Sequence, residues 1–361
     1  MKKTMNKQDK LVCRRKTTIG GQALIEGLMM IGPEKKAMAV RKPDGKIMVE
    51  ELPMTRFTGA ANLLFVRGSV RLFRQLVSGT KALLRSAEFV EDDQPPVNPA
   101  SVQESLNAAD EQPFADKQPD PADPEKQPPA KESFGKKLSG RVDRFLEKHS
   151  SLMLYGSAVV GILFSVVLFI LLPNFLTSFI KQLTRLNDYT GRGATVLFNL
   201  IEGLIRIVIF VGYLALASRM KDIRRVWMYH GAEHKTISCY EAEQELTVEN
   251  ARLYSRFHPR CGTAFMFIVI LVSIIVFSLV GWWGRWVNLL IRFALVPVVA
   301  GIAYEIIRLA GRYDNILTRA ISAPGLWLQR LTTAEPDDSM LEVAISALNA
   351  VIPEKALSDR W

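Results

Sequence analysis

Four long apolar segments in the second half of the chain constrain its fold more than any other feature. They occupy residues 151–172, 196–218, 263–283 and 288–310. Each approaches the ~20 apolar residues that a helix needs to cross the hydrocarbon core of a bilayer. The sequence therefore predicts a mainly α, polytopic membrane protein with four transmembrane helices, preceded by a small β-rich N-terminal cytoplasmic unit.

Lysine and arginine are unevenly distributed between these segments, which predicts their orientation. Residues 219–262 hold eight basic residues, the turn between the first two segments holds three, and the turn between the last two holds one. The positive-inside rule then places residues 219–262 and both termini in the cytoplasm, with the spans in a bacterial inner membrane. No apolar stretch follows the basic residues 1–16, so we expect no cleaved signal peptide.

The net charge of +10 suits either nucleic acid or an anionic membrane surface. The apolar segments favour the membrane, and the sequence shows no interleaved aromatic and basic module for nucleic acid. We therefore expect the lipid bilayer, including anionic lipids, as the partner, and no nucleic acid. The sequence identifies no protein partner. Three cysteines do not form an even disulfide framework, and reduced thiols suit the cytoplasm.

Three regions precede the membrane domain. Residues 1–57 are predicted to form the β-rich unit, with two strands joined at Pro43-Asp44-Gly45. Residues 58–90 are predicted to form an Arg-rich amphipathic helix, which would either lie on the membrane surface or pack on the protein. Residues 91–135 contain half of the eighteen prolines and few large apolar side chains, so they are predicted to be a disordered acidic linker.

The membrane domain is predicted to span residues 136–310 and to contain a cytoplasmic His/Cys loop at 219–262. A cytoplasmic helical segment at 311–361 follows, with a predicted break at Ala323-Pro324-Gly325 and a last capped helix at 340–348. In the second span, Glu202 and Arg206 are four residues apart. They are predicted to pair inside the bundle, either as a structural pair or on a transport path. In the fourth span, Arg292 and Glu305 are predicted to snorkel toward the ends.

The string YHGAEH in the His/Cys loop points to metal chemistry. His230 and His234 are four residues apart, so they share one face of a helix, and Glu233 precedes the second histidine. The pattern H-x-x-E-H is that of inverted zincins, in which two histidines bind zinc and the glutamate is the general base. His258 and Cys261 form a second cluster about twenty residues later, and both side chains are good zinc ligands.

Three interpretations of this stretch remain open. The histidines either only pack or hydrogen-bond, or four ligands close a structural zinc site, or three ligands leave an open catalytic site with water. In standard inverted zincins the third ligand is a carboxylate on a later helix. No glutamate in this sequence is marked for that role.

Four blocks of sequence resemble the YqhQ-like family of bacterial membrane proteins. They read GGQALIEGLMMIGP, YHGAEHKTISCYE, SRFHPRCGTAF and APGLWLQRLTTAEPDD. This family is catalogued as a domain of unknown function and is sometimes labelled a predicted metal-dependent enzyme. Ile31 stands where the resemblance implies a basic residue, which argues against an anion site there. The resemblance carries eight polar residues over as site candidates: Gln22, Glu26, His230, Glu233, His234, Cys239, His258 and Cys261.

The leading functional hypothesis is a zinc-dependent enzyme of hydrolytic type at the cytoplasmic membrane face. In it His230 and His234 bind zinc, with His258 or Cys261 as third ligand, and Glu233 activates water. The first alternative is a membrane scaffold or assembly factor with a structural zinc. The second is a transporter component that uses Glu202 and Arg206.

Overall fold

The computed structural model describes residues 13, 15–54, 63, 66–91, 150–184, 192–280, 285–313, 315–354 and 358–359. The chain divides into two compact units, Met1–Gln94 with Pro173–Trp361, and Pro95–Leu172. Apart from Glu91, the predicted linker at 91–135 lies outside the described residues. The described chain is mainly helical, with one antiparallel sheet, which confirms the predicted fold class.

The smaller unit contains helix α2 (Ser150–Val166) and a π-helical segment, Val167–Leu171. The candidate span Val159–Leu183 includes this segment and ends with helix α3 (Leu172–Leu183), which belongs to the larger unit. This span accounts for the first predicted transmembrane segment. Its side chains are almost entirely apolar up to Leu172, as a lipid-facing helix requires.

A four-stranded antiparallel sheet forms the N-terminal part of the larger unit. Its strands, in spatial order, are β1 (Gly20–Leu24), β2 (Gly27–Ile31), β3 (Lys36–Arg41) and β4 (Ile47–Leu52). The β3–β4 turn contains Gly45 at φ 84°, a conformation that glycine adopts without steric cost. This turn confirms the strand pair predicted around Pro43-Asp44-Gly45.

Both faces of the sheet are covered by helices. Side chains alternate across a strand, so Leu24 and Met29 face helix α1 (Val66–Glu91), where Ala82 packs against them. The opposite face, which includes Leu28 and Met30, packs on helices α5 (Lys221–Glu241) and α10 (Asp338–Asn349). The double burial explains the unbroken apolar run in β2. Full burial of each such side chain contributes ~1.5–3 kcal/mol relative to exposure.

Helix α1 begins at Val66, and residues 58–62, 64 and 65 of the predicted helix lie outside the described residues. The sequence left open whether this helix lies on the membrane or packs on the protein. It packs on the sheet and on α8 (Arg285–Arg312), where Arg67 donates to both Glu305 carboxylate oxygens at 2.7 and 2.6 Å. The prediction that Glu305 snorkels is therefore wrong, because Arg67 pairs with it.

Three of the helices suited to cross a membrane pack together within the larger unit. Among the described residues four helices are long and apolar enough to do so: Val159–Leu183, Val196–Ala217, Gly262–Leu279 and Val287–Arg312. The last three lie in helices α4 (Arg192–Ala217), α7 (Gly262–Leu279) and α8, and α7 packs on both of the others. The four predicted spans are thus confirmed as apolar helices of sufficient length.

Three charged side chains pair between these spans. Arg206 donates to Glu202 at 2.8 Å, which confirms the predicted pair. Arg292 of α8 also donates to Glu202, at 2.5 and 3.0 Å, and to Asn199 at 3.2 Å. The prediction that Arg292 snorkels is therefore wrong. A buried carboxylate in a span is stabilised by opposite charges, and two guanidinium groups surround this one.

The chain outside the spans gathers at one end of these packed helices. Helix α5 follows α4 after a turn of three residues. The short helix α6 (Val248–Arg252) comes next, and Cys261 is the N-cap of α7. Because α7 and α8 run in opposite directions, the end of α8 lies at the same end as Cys261. The sheet and α10 pack on α5, so they lie on this side of the membrane helices as well.

The C-terminal segment is helical, as predicted, but the predicted break is wrong. Helix α9 (Ile316–Thr332) runs through Pro324 without interruption. At this point α9 packs closely on α7: a Cβ at Gly325 would overlap Ala264. This packing supports the unbroken helix. Helix α10 begins as predicted, with Asp337 accepting a hydrogen bond from the Met340 amide at 3.0 Å.

Candidate metal centre

The centre of the site is helix α5, which is buried on all sides over most of its length. Residues 229–237 are all buried, although they include histidines, a glutamate and a lysine. A segment after α9 runs beside the helix, where the Ala334 amide donates to the Trp227 carbonyl at 2.9 Å. Gly231 permits this approach, because a Cβ there would overlap the Ala334 carbonyl oxygen. The first half of the predicted His/Cys loop is therefore helical.

Three buried side chains bring metal-ligand atoms together. The donor atoms of His230, His234 and Cys261 all lie within 4.8 Å of one another. His230 Nε2 and Cys261 Sγ lie 3.1 Å apart. The histidines share one face of α5, while Cys261 comes from the N-cap of α7, where Sγ accepts from the Thr263 amide at 3.4 Å. Two imidazoles and a thiol form a donor set that suits zinc.

Backbone carbonyls fix the direction of both imidazoles. His230 Nδ1 lies 2.7 Å from the Thr332 carbonyl oxygen, and His234 Nδ1 lies 2.6 Å from that of Arg256. A carbonyl only accepts, so Nδ1 carries a proton in each ring and Nε2 is the nitrogen that faces the cluster. Metal-binding histidines use such outer contacts to fix tautomer and orientation.

Glu233 lies beside this group. Its Oε1 accepts a hydrogen bond from the Gly21 amide of β1 at 2.9 Å. Its Oε2 is buried, as is His234 Nε2, and neither has a hydrogen-bond partner in the part of the chain that the structure describes. Each of these atoms calls for a partner, because buried polar atoms are almost always satisfied. The donor set and these two atoms fit a metal ion.

The electrostatics agree with a thiolate among imidazoles. Burial opposes ionisation of Cys261, but His230 and His234 hold the pKa of its thiol well below its usual value. Burial also opposes the charge on His230, yet the neighbouring Cys261 raises its pKa to about 9. Burial raises the pKa of Glu233, against the lowering influence of the two imidazoles. A metal cation could therefore replace the protons that these side chains share.

His258 lies next to the group but faces away from it. Its ring centroid is 5.6 Å from that of His234, and its Nε2 lies 3.4 Å from Glu241 Oε2. Arg260 donates to the same carboxylate, and the Thr17 amide donates to it at 2.8 Å. Burial lowers the pKa of His258. Of the two predicted third ligands, the structure brings Cys261 to the histidines and directs His258 toward Glu241.

A cavity of about 630 Å³ adjoins this second cluster. His258 and Glu241 line one side, and residues from the end of α8 and the start of α9 line the other. The wall carries three basic side chains, Lys16, Arg260 and Arg319. Its size is within the range of small-molecule sites.

The remaining predicted candidates lie elsewhere. Cys239 is in the apolar core and its thiol donates to the Glu245 carbonyl at 3.6 Å. Gln22 packs against Gly79 of α1. Glu26 occupies the β1–β2 turn at φ 51° and pairs with Arg225 of α5. None of these three belongs to the group of donor atoms.

Comparison with known proteins supports the resemblance seen in the sequence. A family model described as "Protein of unknown function (DUF1385)" matches residues 63–354. The chain belongs to this family. The curated "Uncharacterized protein YqhQ" of Bacillus subtilis (strain 168) is 34% identical over 345 residues, which cover 94% of each chain. No solved structure matches the chain.

Several residues that contact the candidate site of this DUF1385 protein were not predicted from the sequence. Gly21, Arg256 and Thr332 act through backbone atoms, which leave no side-chain pattern in a sequence. Glu241 and Arg260 were visible as charges inside the resembling blocks. Their pairing across nineteen residues became evident only once α5 and the turn before α7 were placed.

Proposed function

We propose that this protein is a zinc-dependent hydrolase that acts at the cytoplasmic face of the membrane. The observation that carries the proposal is the group of three buried donors with an unsatisfied carboxylate oxygen beside it. His230 Nε2, His234 Nε2 and Cys261 Sγ would hold the ion. Three protein ligands leave one position of a tetrahedral zinc open, which is the pattern of catalytic sites.

The residues around the group would have distinct roles. Zinc would supply Lewis acidity and lower the pKa of its water ligand toward neutrality. The Gly21 amide holds Glu233 through Oε1. Oε2 is therefore left to accept a proton from the attacking water and to donate it to the leaving group. The carbonyls of Arg256 and Thr332 would keep both imidazoles in the ligand tautomer throughout.

The position of the site supports a reaction at the membrane face. Cys261 is the last residue before α7, so the group lies at the end of a membrane-crossing helix. The cavity beside His258 lies at the ends of α8 and α9 and would receive the substrate. A reduced thiol and the basic residues at this end favour the cytoplasmic side of a bacterial inner membrane.

A structural zinc in a scaffold protein is the second candidate. It rests on the proximity of His258, whose ring lies 5.6 Å from that of His234. A turn of this side chain would complete four ligands and close the site. A transport role receives less support, because two guanidinium groups already engage Glu202.

The test is to separate metal binding from chemistry. We expect purified wild-type protein to contain about one zinc per chain by mass spectrometry of the metal. Glu233→Gln should keep that zinc and the thermal stability but fail to complement a deletion strain. His234→Ala should lose both zinc and complementation.

Glu245→Gln is the matched control, since Glu245 is an exposed carboxylate on the same segment. It should behave as wild type. Full complementation by Glu233→Gln, with zinc retained, would favour the scaffold over the hydrolase. Unchanged metal content in His230→Ala and His234→Ala would remove every metal-based interpretation.

A further inference from the structure

A groove with basic walls runs between α1 and the edge of the sheet, away from the metal centre. Its volume is about 950 Å³. Five basic side chains and a single carboxylate, that of Glu50, are among its lining residues. The basic side chains are Lys36, Arg71, Arg74, Lys81 and Arg85. Such an excess of positive charge around a concave surface attracts an anion.

The groove lies where α1 leaves the depth of the membrane. The start of α1 crosses the fourth span: Ser69 Oγ donates to the Pro297 carbonyl at 2.5 Å. A Cβ at Gly68 would lie only 3.1 Å from Gly301 Cα, so glycine permits the close crossing. Pro297 precedes Arg308, the first basic residue at this end of the span, by eleven residues. At 1.5 Å per residue that is ~16 Å, about half of the hydrocarbon thickness.

The outer face of α1 suits lipid rather than water. Phe73 and Leu76 are each 66% exposed, and the neighbouring Leu72 and Val77 are exposed as well. Large apolar side chains grouped in this way on a helix that starts within the membrane would face acyl chains. Phe73 and Val77 also line the groove, so its wall passes from basic to apolar.

We propose that this groove binds the head group of an anionic phospholipid from the bilayer. The guanidinium groups of Arg71, Arg74 and Arg85 are planar donors of the kind that matches phosphate oxygens, and Lys81 adds a point charge. Arg85 also pairs with Glu50 and Glu88, and Arg71 also donates to Tyr304, so the head group would share these donors with protein acceptors. The acyl chains then lie along Phe73 and Leu76 in the surrounding membrane. A free phosphate would use the basic wall alone, which leaves the apolar face of α1 unexplained.

Lipid retention by the full-length protein tests this site. The protein is incubated in detergent with a 1:1 mixture of phosphatidylglycerol and phosphatidylcholine, purified again, and its bound lipids are measured by mass spectrometry. Wild type should retain phosphatidylglycerol in clear preference. At about a factor of five for each basic residue near a membrane surface, Arg74→Gln with Lys81→Gln should reduce that preference by roughly tenfold or more.

Lys46→Gln with Arg252→Gln removes the same charge from exposed positions outside the groove and should leave the preference unchanged. Only variants whose Tm matches that of wild type are compared. If the Arg74→Gln, Lys81→Gln double variant unfolds, the single variant Lys81→Glu replaces it. Equal retention of both lipids by wild type would overturn the proposal. So would a groove variant that keeps its preference, or displacement of the lipid by millimolar inorganic phosphate.

Discussion

Replacement of Glu241 by glutamine tests the second polar cluster in a quantitative way. The carboxylate is buried and accepts from Arg260, from the Thr17 amide at 2.8 Å and from His258, whose Nε2 lies 3.4 Å away. Removal of one partner of a buried ion pair costs ~3–5 kcal/mol, because the other charge is left without compensation. The glutamine oxygen still accepts the Thr17 amide, so we take the lower end, about 3 kcal/mol.

At ~2.1 cal/mol/K of unfolding entropy per residue, a loss of about 3 kcal/mol in a chain of 361 residues corresponds to a shift in Tm of about 4 °C. Thermal unfolding of the purified protein in detergent, at one scan rate, measures it. Glu245→Gln, at an exposed carboxylate, should shift Tm by less than about 1 °C. Glu241→Gln with Arg260→Met removes both charges and should recover at least half of the loss.

The stability that Glu241 contributes should depend on pH, and the direction follows from the pKa of its carboxyl. Burial alone would raise the pKa of Glu241, but the hydrogen bond from His258 and the charge of Arg260 lower it below its usual value. A lowered folded pKa contributes stability above the unfolded pKa, and that stability is lost as the pH falls through the folded pKa. The difference between wild type and Glu241→Gln should be full at pH 7 and narrow below about pH 4. If the double variant is no more stable than Glu241→Gln, the charge pair is not what stabilises this cluster.

Two further predictions concern the orientation of the chain and the backbone amide that holds the Glu233 carboxylate. Reporter fusions at Glu245 and at Trp286 should give opposite signals, with Glu245 in the cytoplasm, and a periplasmic signal at Glu245 would reverse the orientation. Gly21→Ala should reduce complementation at least tenfold with zinc content unchanged. The new Cβ would lie 2.8 Å from the Met29 carbonyl oxygen and 3.0 Å from Glu233 Cδ, so it would shift strand and carboxylate together, and Tm is measured beside zinc content to detect unfolding. Gly20→Ala, where a Cβ meets nothing within 4 Å, is its control and should retain function.

The elements predicted best were those whose signal is local. A run of ~20 apolar residues specifies a membrane helix without reference to the rest of the chain, and all four runs appear as such helices. The turn at Gly45 was equally local. The break expected at Pro324 was wrong because a tertiary contact, Gly325 against Ala264, outweighs the local preference.

Long-range pairings could be predicted only where the partners share one helix. Glu202 and Arg206 are four residues apart, so their pairing followed from helix geometry. Arg292 joins them from another span, and Arg67 reaches Glu305 across 238 residues. No periodicity connects such positions, so Arg292 and Glu305 were wrongly expected to snorkel.

The candidate site shows the same division. The spacing of His230 and His234 predicted that their imidazoles would converge, because one helix carries both. The choice between His258 and Cys261 depended on where the chain turns into α7, and only the fold decides that. The turn places Cys261 at the helix N-cap, with Sγ directed at His230.

The fold also changes the meaning of the N-terminal unit. Sequence treated residues 1–57 as a separate β-rich region, yet the Gly21 amide of β1 donates to Glu233 within the site. The sheet packs on α5 through a largely apolar face, so β1 is held at a fixed distance from the histidines. An amide fixed by a sheet orients a carboxylate more rigidly than a loop does, as a general base requires. The strand is therefore part of the candidate site, and the hydrolase hypothesis depends on its presence.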